Sequence, residues 1–305
     1  VVTLASPLTN ALATAAQPMT PVAFDVPAGA CDSHACIIGD PAQFPFSASR
    51  GYTPETASLA EMRAMHRALH VERVVIVQPS FYGTDNSCTL DSVRQLGRRA
   101  RGVALLNDKA SGEELDELRR GGICGIICAS GAGSDPAEVR RRFKDTVERA
   151  KGRRWHIEFH GRLAEIEAIQ NEVMESPVPV LFDHFGGAQP ALGVGQPGFD
   201  TLLRLVRGGK AYVDVSAPYR VSKQAPAYPD VAPIARAIIE ANPERITWGT
   251  GWPHPAQEPG RGVTEITPLY RIDDGKNLNL LATWTSGAAQ LKLALVENPA
   301  RLYGF

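Results

Sequence analysis

Arg245-Ile-Thr-Trp-Gly-Thr-Gly-Trp-Pro-His254 decides how this chain folds. It opens as a strand of apolar and β-branched residues up to Trp248. It then breaks at Gly249, Thr250 and Gly251 and closes on an aromatic, a proline and a histidine. Glycines let a backbone turn sharply where a strand meets a loop. In barrel folds, the residues just beyond strand ends are the ones placed for chemistry.

Seven other stretches read as partners of this one. The strands are expected at Gly29–Ile38, Arg73–Pro79, Gly102–Asn107, Ile123–Cys128, Trp155–His160, Val178–His184 and Ala211–Ser216. Helical spacing follows each: Pro54–His70 opened by Pro54, then near Leu90–Arg99, Gly112–Arg120, Pro136–Ala150, Arg162–Met174, Gly198–Arg207 and Asp230–Ala241. A last helix is expected near Leu280–Leu295. Short apolar strands alternating with helices imply βαβ units and a parallel sheet buried on both faces. Eight such units predict a single (β/α)8 TIM barrel, an α/β fold, over residues 29–305. A doubly wound sheet is the alternative, but no G-x-G-x-x-G follows the first strand. No linker divides the chain.

Composition is that of an ordinary globular protein, with 44% hydrophobic and 21% charged residues among 305. A net charge of −1 implies no nucleic-acid or membrane partner. No apolar run reaches the roughly 18 residues of a membrane span. Five cysteines without a CxxC read as buried free thiols rather than a disulfide framework. Residues 1–28 form an N-terminal extension. Its uncharged beginning, with Ala11-Leu-Ala13 and Ala13-Thr-Ala15, resembles the end of an export signal without the basic start; a cytoplasmic location is favoured, with export or the periplasm as the alternative.

The barrel reading predicts where function lies. His34 falls late in the first strand, Ser80, Thr84 and Asn86 follow the second, and Glu158 and His160 end the fifth. Asp183 and His184 end the sixth, Tyr219 and Arg220 follow the seventh, and His254 follows the eighth. Five of the 7 histidines, His156 among them, lie on or just after strands, and the residues named above would converge on one mouth. Each has a plainer alternative: a hydrogen-bonded structural histidine, a packing tyrosine, a surface arginine, an Asp183 that only orients its neighbour or caps a loop. His66 and His70 read as one solvated helix face, and Asp214 as a residue facing a helix.

Cys31-Asp-Ser-His34, Val77-Gln-Pro-Ser-Phe-Tyr-Gly-Thr-Asp-Asn86, Phe182-Asp-His-Phe-Gly186, Ser216-Ala-Pro-Tyr-Arg220, Trp248-Gly-Thr-Gly-Trp-Pro-His254 and Asn298-Pro-Ala-Arg-Leu-Tyr303 occur in this order. From Ala30 to Phe305 the chain resembles the amidohydrolase superfamily, in the branch that holds pyrone-dicarboxylate lactonases and galactarolactone isomerases. The resemblance implies a barrel, and it departs from the family at four places. His34-Ala-Cys36 stands where His-x-His is usual, and Gly251 where an aspartate is usual. Gly125-Ile-Ile-Cys-Ala129 replaces Gly-x-Arg-x-Asn, and Gly187 stands where relatives can carry an arginine.

Zinc needs three or four N, O or S ligands in tetrahedral reach, and two plausible ones are gone, so no metal or other cofactor is expected. The resemblance implies a metal-independent hydrolase acting on a lactone or related cyclic ester that bears an anionic group, a small-molecule substrate. His34, His184 and His254 would hold the carbonyl oxygen. Glu158 or His160 would move the proton. Ser80, Thr84, Asn86, Tyr219 and Arg220 would position the substrate, Arg220 by pairing with a carboxylate. The alternatives are a lactone isomerase or lyase in the same pocket and, of another class, a catalytically inactive barrel that binds small molecules.

Overall fold

The computed structural model describes residues 14–305 apart from 132 and 259. Eight parallel strands form one sheet in sequential order. They are β1 (Cys31–Ala35), β2 (Arg73–Val77), β3 (Ala100–Ala104), β4 (Ile123–Ala129), β5 (His156–His160), β6 (Val180–Phe182), β7 (Ala211–Asp214) and β8 (Ile246–Thr247). The ring of helices comprises α1 (Leu59–Leu69), α2 (Ser87–Leu96), α3 (Gly112–Arg120), α4 (Pro136–Ala150), α5 (Leu163–Ala168), α6 (Gln170–Glu175), α7 (Phe199–Arg207), α8 (Val231–Ala241) and α9 (Asp274–Trp284). This is the expected (β/α)8 barrel.

Alternation along each strand sorts the core into two layers. Val75, Val77, Val103, Leu181 and Tyr212 fill the barrel interior, where Tyr303 and Leu302 join them. Val74, Ile76, Ile157, Phe159, Phe182 and Val213 face outward under the helices. Each helix offers one apolar stripe to that outer layer, as Met62, Met65 and Leu69 of α1 do.

The ring is closed by the stretch on which the fold reading began. Ser33 N donates to Trp248 O, Gly251 N to His34 O and Cys36 N to Trp252 O, each at 2.8 Å. Only glycine fits at 249, because a Cβ there would lie 2.6 Å from the His34 backbone nitrogen. Asp32 seals the seam from outside. Its buried carboxylate accepts from Thr250 N (2.9 Å), Thr250 Oγ1 (2.7 Å), His34 N (3.1 Å) and His66 Nε2 (2.9 Å). His66 is therefore a buried partner of Asp32 rather than part of a solvated face, which corrects the reading from spacing. Helical spacing identifies a face but not what packs on it.

Three element boundaries also differ from expectation. α1 starts at Leu59, under a capping box in which Ser58 and Glu61 satisfy each other's backbone N–H groups, and not at Pro54. Thr53 and Pro54 instead pair with Ile266 and Thr267 in a separate short ladder. The helix read as Arg162–Met174 is divided at Ile169 into α5 and α6. α9 begins at Asp274, ahead of the expected Leu280, and ends at Trp284, before Gly287 with its positive φ of 128°. The extension is pinned along α9: Thr20 Oγ1 donates to Asp273 at 2.7 Å and Ala23 N to Asn279 at 2.7 Å. Most of the stretch read as an export-signal remnant lies outside the described residues.

Candidate active site

A cavity of about 930 Å³ opens at the C-terminal ends of the strands. Of the side chains singled out from the sequence, His34, Ser80, His160, Asp183, His184, Tyr219 and Arg220 line it. Glu158 lies directly beneath, fully buried.

His34 reaches the mouth through an irregularity in β1. Cys31 and Asp32 pair with Arg73 and Val74, but Ala35 pairs with Ile76, so β1 carries one residue more than β2. An extra residue re-aims the side chains after it. His34 Nδ1 then points down, 3.6 Å from Glu158 Oε1 and 3.9 Å from Asp214 Oδ2. Asp214 therefore faces the barrel interior and not a helix, which corrects its reading. Alternation along Tyr212-Val-Asp-Val-Ser216 sets Asp214 on the face of Tyr212 and Ser216, opposite Val213 and Val215, and that face is the barrel interior.

His160 ends β5 and shares the inward face with Glu158. Its Nε2 hydrogen-bonds Glu158 Oε1 at 2.8 Å and lies 3.6 Å from Asp183 Oδ2. Burial opposes a charge on His160, but the carboxylates of Asp183 and Glu158 outweigh it and push its pKa up to about 9. Burial works against the Glu158 carboxylate too. His156 at 4.0 Å and hydrogen-bonded His160 offset it and hold the group well below the usual carboxylate range. Glu158 thus stands as an ionised partner beneath His160.

His184 breaks the strand rule. β6 ends at Phe182, and His184, Phe185, Gly186 and Gly187 all have positive φ, at 41°, 58°, 64° and 66°. The chain has left the pleat, so Asp183 and His184 both line the mouth, with His184 Nε2 3.5 Å from Asp183 Oδ2. The alternation expected from a regular strand does not extend to this pair. Phe185, fully buried edge-on against Trp284 with ring centroids 5.7 Å apart, pins the turn. His184 Nδ1 meets Ser216 Oγ at 2.8 Å. With the hydroxyl as donor the ring proton sits on Nε2, toward the mouth; with the ring as donor Nε2 presents its lone pair there. Burial keeps both rings neutral: it lowers His34 to about 4 against the pull of Glu158, and it holds His184 well below the ordinary value.

Arg220 and Tyr219 follow β7 in a short turn, with the guanidinium 5.8 Å from the Tyr219 ring centre. The Arg220 side chain is solvent-accessible, and it lies in the cavity wall. Tyr219 OH donates to Gly251 O at 3.2 Å.

Three sequence candidates lie elsewhere. His254 is fully buried, with Nε2 bonded to Asp274 Oδ2 at 2.9 Å and its ring edge-on to Tyr219 at 5.2 Å. It supports the wall of the mouth without lining it. Thr84 and Asn86 line a different cavity, between α2 and α3. The Asn86 amide is occupied, donating to Leu105 O at 3.0 Å and accepting from Leu105 N at 3.1 Å. The turn Ser80–Tyr82 carries the chain away from the mouth after Ser80.

Three features of the mouth bear on a tetrahedral zinc site. Gly251 has no side chain, burial pushes the Cys36 thiol up to about 12, and Glu158 is tied to His160. Among the described residues, no group of three or more His, Cys, Asp or Glu side chains is arranged to hold a metal ion.

Comparison with known proteins places this site among relatives. The family described as amidohydrolase matches residues 31–305. The 4-sulfomuconolactone hydrolase of Hydrogenophaga intermedia is 32% identical over 94% of this chain and 92% of its own length. The D-galactarolactone isomerase of Agrobacterium fabrum is 29% identical over 80% of each chain. A Pseudomonas putida structure assigned as a 2-pyrone-4,6-dicarboxylic acid hydrolase superposes with a TM-score of 0.76 at 28% identity, covering 92% of this chain and 98% of its own.

Proposed function

The chain belongs to the amidohydrolase family, and from that premise we propose that it is a hydrolase opening a lactone or related cyclic ester that carries an anionic group, with no metal in the step. The observation that carries this reading is the convergence of His34, His160, His184 and Arg220 on one mouth. Cationic His160 and the N–H of His184 offer positive charge and a donor where an ester carbonyl gathers negative charge. Arg220 offers a planar fork to a carboxylate or sulfonate. The family and the two named relatives, a hydrolase and an isomerase of lactones, support an enzyme over an inert binding barrel.

The His160–Glu158 pairing changes the expected division of labour. A carboxylate held far below its usual range and a ring that keeps its proton are both poor bases at neutral pH. His160 serves as a fixed cation and Glu158 as its counter-ion, so neither moves the proton as the sequence suggested. Tyr219 and Ser80 shape the wall beside Arg220.

The test is a set of carboxylated and sulfonated lactones incubated with the chelator-treated protein. Ring opening is read by proton release and by a mass gain of one water. Turnover unaffected by chelation supports the reading. A rearranged product without added water would make the protein an isomerase. Activity abolished by chelation and restored by zinc would overturn the metal-free step.

A further inference from the structure

Hydrolysis needs a group that takes a proton from the attacking water. Position 251 cannot supply one. Its φ is +74°, and a Cβ there would lie 2.7 Å from Ala217 Cβ and 3.2 Å from Tyr219 OH, so the tyrosine fills the space. Among the described residues that line the mouth, Asp183 is the one aspartate or glutamate. Its Oδ2 stands 3.6 Å from His160 Nε2 and 3.5 Å from His184 Nε2, too long for strong hydrogen bonds, which leaves lone pairs for water in the cavity. The left-handed turn at His184 puts both side chains on the same side, so the acceptor lies beside the carbonyl donor.

Building on the hydrolase reading, we propose that Asp183 is the general base that activates water in this site. Asp183 takes one proton from water as the water oxygen bonds to the carbonyl carbon. The carbonyl π electrons move to its oxygen, beside His160 and the His184 N–H. On collapse, the acyl bond to the ring oxygen breaks and its electrons go to that oxygen, which takes back the proton held by Asp183. One water has been added, the product is a hydroxy acid whose new carboxyl ionises in solution, and Asp183 returns to its starting state.

The surroundings agree with this role. The charged or titratable groups facing Asp183 are His160 and Glu158 from β5, Arg220 after β7, and adjoining His184. Burial, partly offset by His160, raises Asp183 to about 6, so at neutral pH it is ionised yet a stronger base than an exposed aspartate. Its competitors in the mouth are worse placed. Burial pushes Cys36 and Tyr219 up to about 12, which keeps them protonated, and lowers His34 to about 4, a weaker base.

The experiment compares wild type with Asp183→Asn and Asp183→Ala as full chains, on carboxylated γ-lactones. Asp183→Asn should lower kcat by about 10²–10⁴-fold, with KM little changed, and should erase the acid limb of the rate profile near pH 6. Asp183→Ala should regain turnover with added formate, acetate or propionate, in the order of their basicity. A residue that only orients His184 would show no such rescue. An Asn variant within about threefold of wild type, far inside the range for a lost base, overturns the assignment. So does a loss that no small carboxylate rescues. Both outcomes leave the hydrolase reading standing where wild type is active. A wild type that opens none of the lactones overturns the hydrolase reading and this assignment together.

Discussion

The ends of β6 and β8 look alike in sequence and do opposite things. Phe182-Asp-His-Phe-Gly186 and Trp248-Gly-Thr-Gly-Trp-Pro-His254 each carry a histidine shortly after a strand, at a positive φ of 41° and 65° respectively. At β6, the left-handed run lifts Asp183 and His184 into the cavity while Phe185 anchors the turn below. At β8, the backbone is used up in closing the barrel against β1, and His254 is drawn away to Asp274. A histidine past a strand end is therefore an address and not a role. What decides the role is whether the backbone beside it is free to turn or is tied to the neighbouring strand.

Breaking the seam should cost most. Asp32→Ala would leave His66 Nε2, Thr250 N and Oγ1, and His34 N without their shared acceptor. The expected loss is about 3–5 kcal/mol, since each stranded buried donor costs about 1–3 kcal/mol, read by denaturant unfolding. An exposed aspartate would lose almost nothing.

Restoring an acid at β8 should fail. Gly251→Asp places a Cβ at φ +74° against Ala217 and the Tyr219 hydroxyl. Strain and overpacking should cost about 1–3 kcal/mol without raising kcat. A gain in turnover would show that the β8 end can still supply a base.

Arg220→Lys tests the anchor at the mouth. Lysine lacks the planar fork, so KM should rise roughly tenfold, equivalent to one charge-assisted hydrogen bond of about 1.5 kcal/mol, with kcat changed less. Unchanged constants would make Arg220 a surface charge.

The smallest effect concerns pH. His160 is raised from 6.5 to about 9 in the folded protein. Its contribution to stability is therefore complete below its ordinary value and fades as pH climbs through about 9. His160→Gln should flatten the alkaline fall in stability. A fall of unchanged size would assign it to another group.

The architecture was legible because eight strand–helix periods leave little choice, and helices such as Gly112–Arg120 and Pro136–Ala150 stand where their spacing puts them. Most of the mouth was legible for the same reason: residues at strand ends converge whatever their identity. What sequence did not reveal was side-chain direction. The extra residue in β1 and the left-handed turn after β6 are backbone events that strand periodicity does not show. Thr84 and Asn86 were placed by distance along the chain, but the turn at Ser80–Tyr82 sends them to the helix layer. Asp183 was visible throughout, and its role hinged on a regular strand that ends one residue before it.

The contrast between the two strand ends can be measured with one pair of variants, His184→Ala and His254→Ala, each followed by kcat on a carboxylated lactone and by thermal unfolding. His184→Ala should cut kcat by about 10²–10³-fold, the cost of one lost oxyanion donor, and leave the melting temperature nearly unchanged. His254→Ala, by stranding the buried Asp274 side chain, should cost about 3–5 kcal/mol of stability and leave turnover per folded molecule close to wild type. The reverse pattern, with stability lost at 184 and turnover lost at 254, would contradict that contrast.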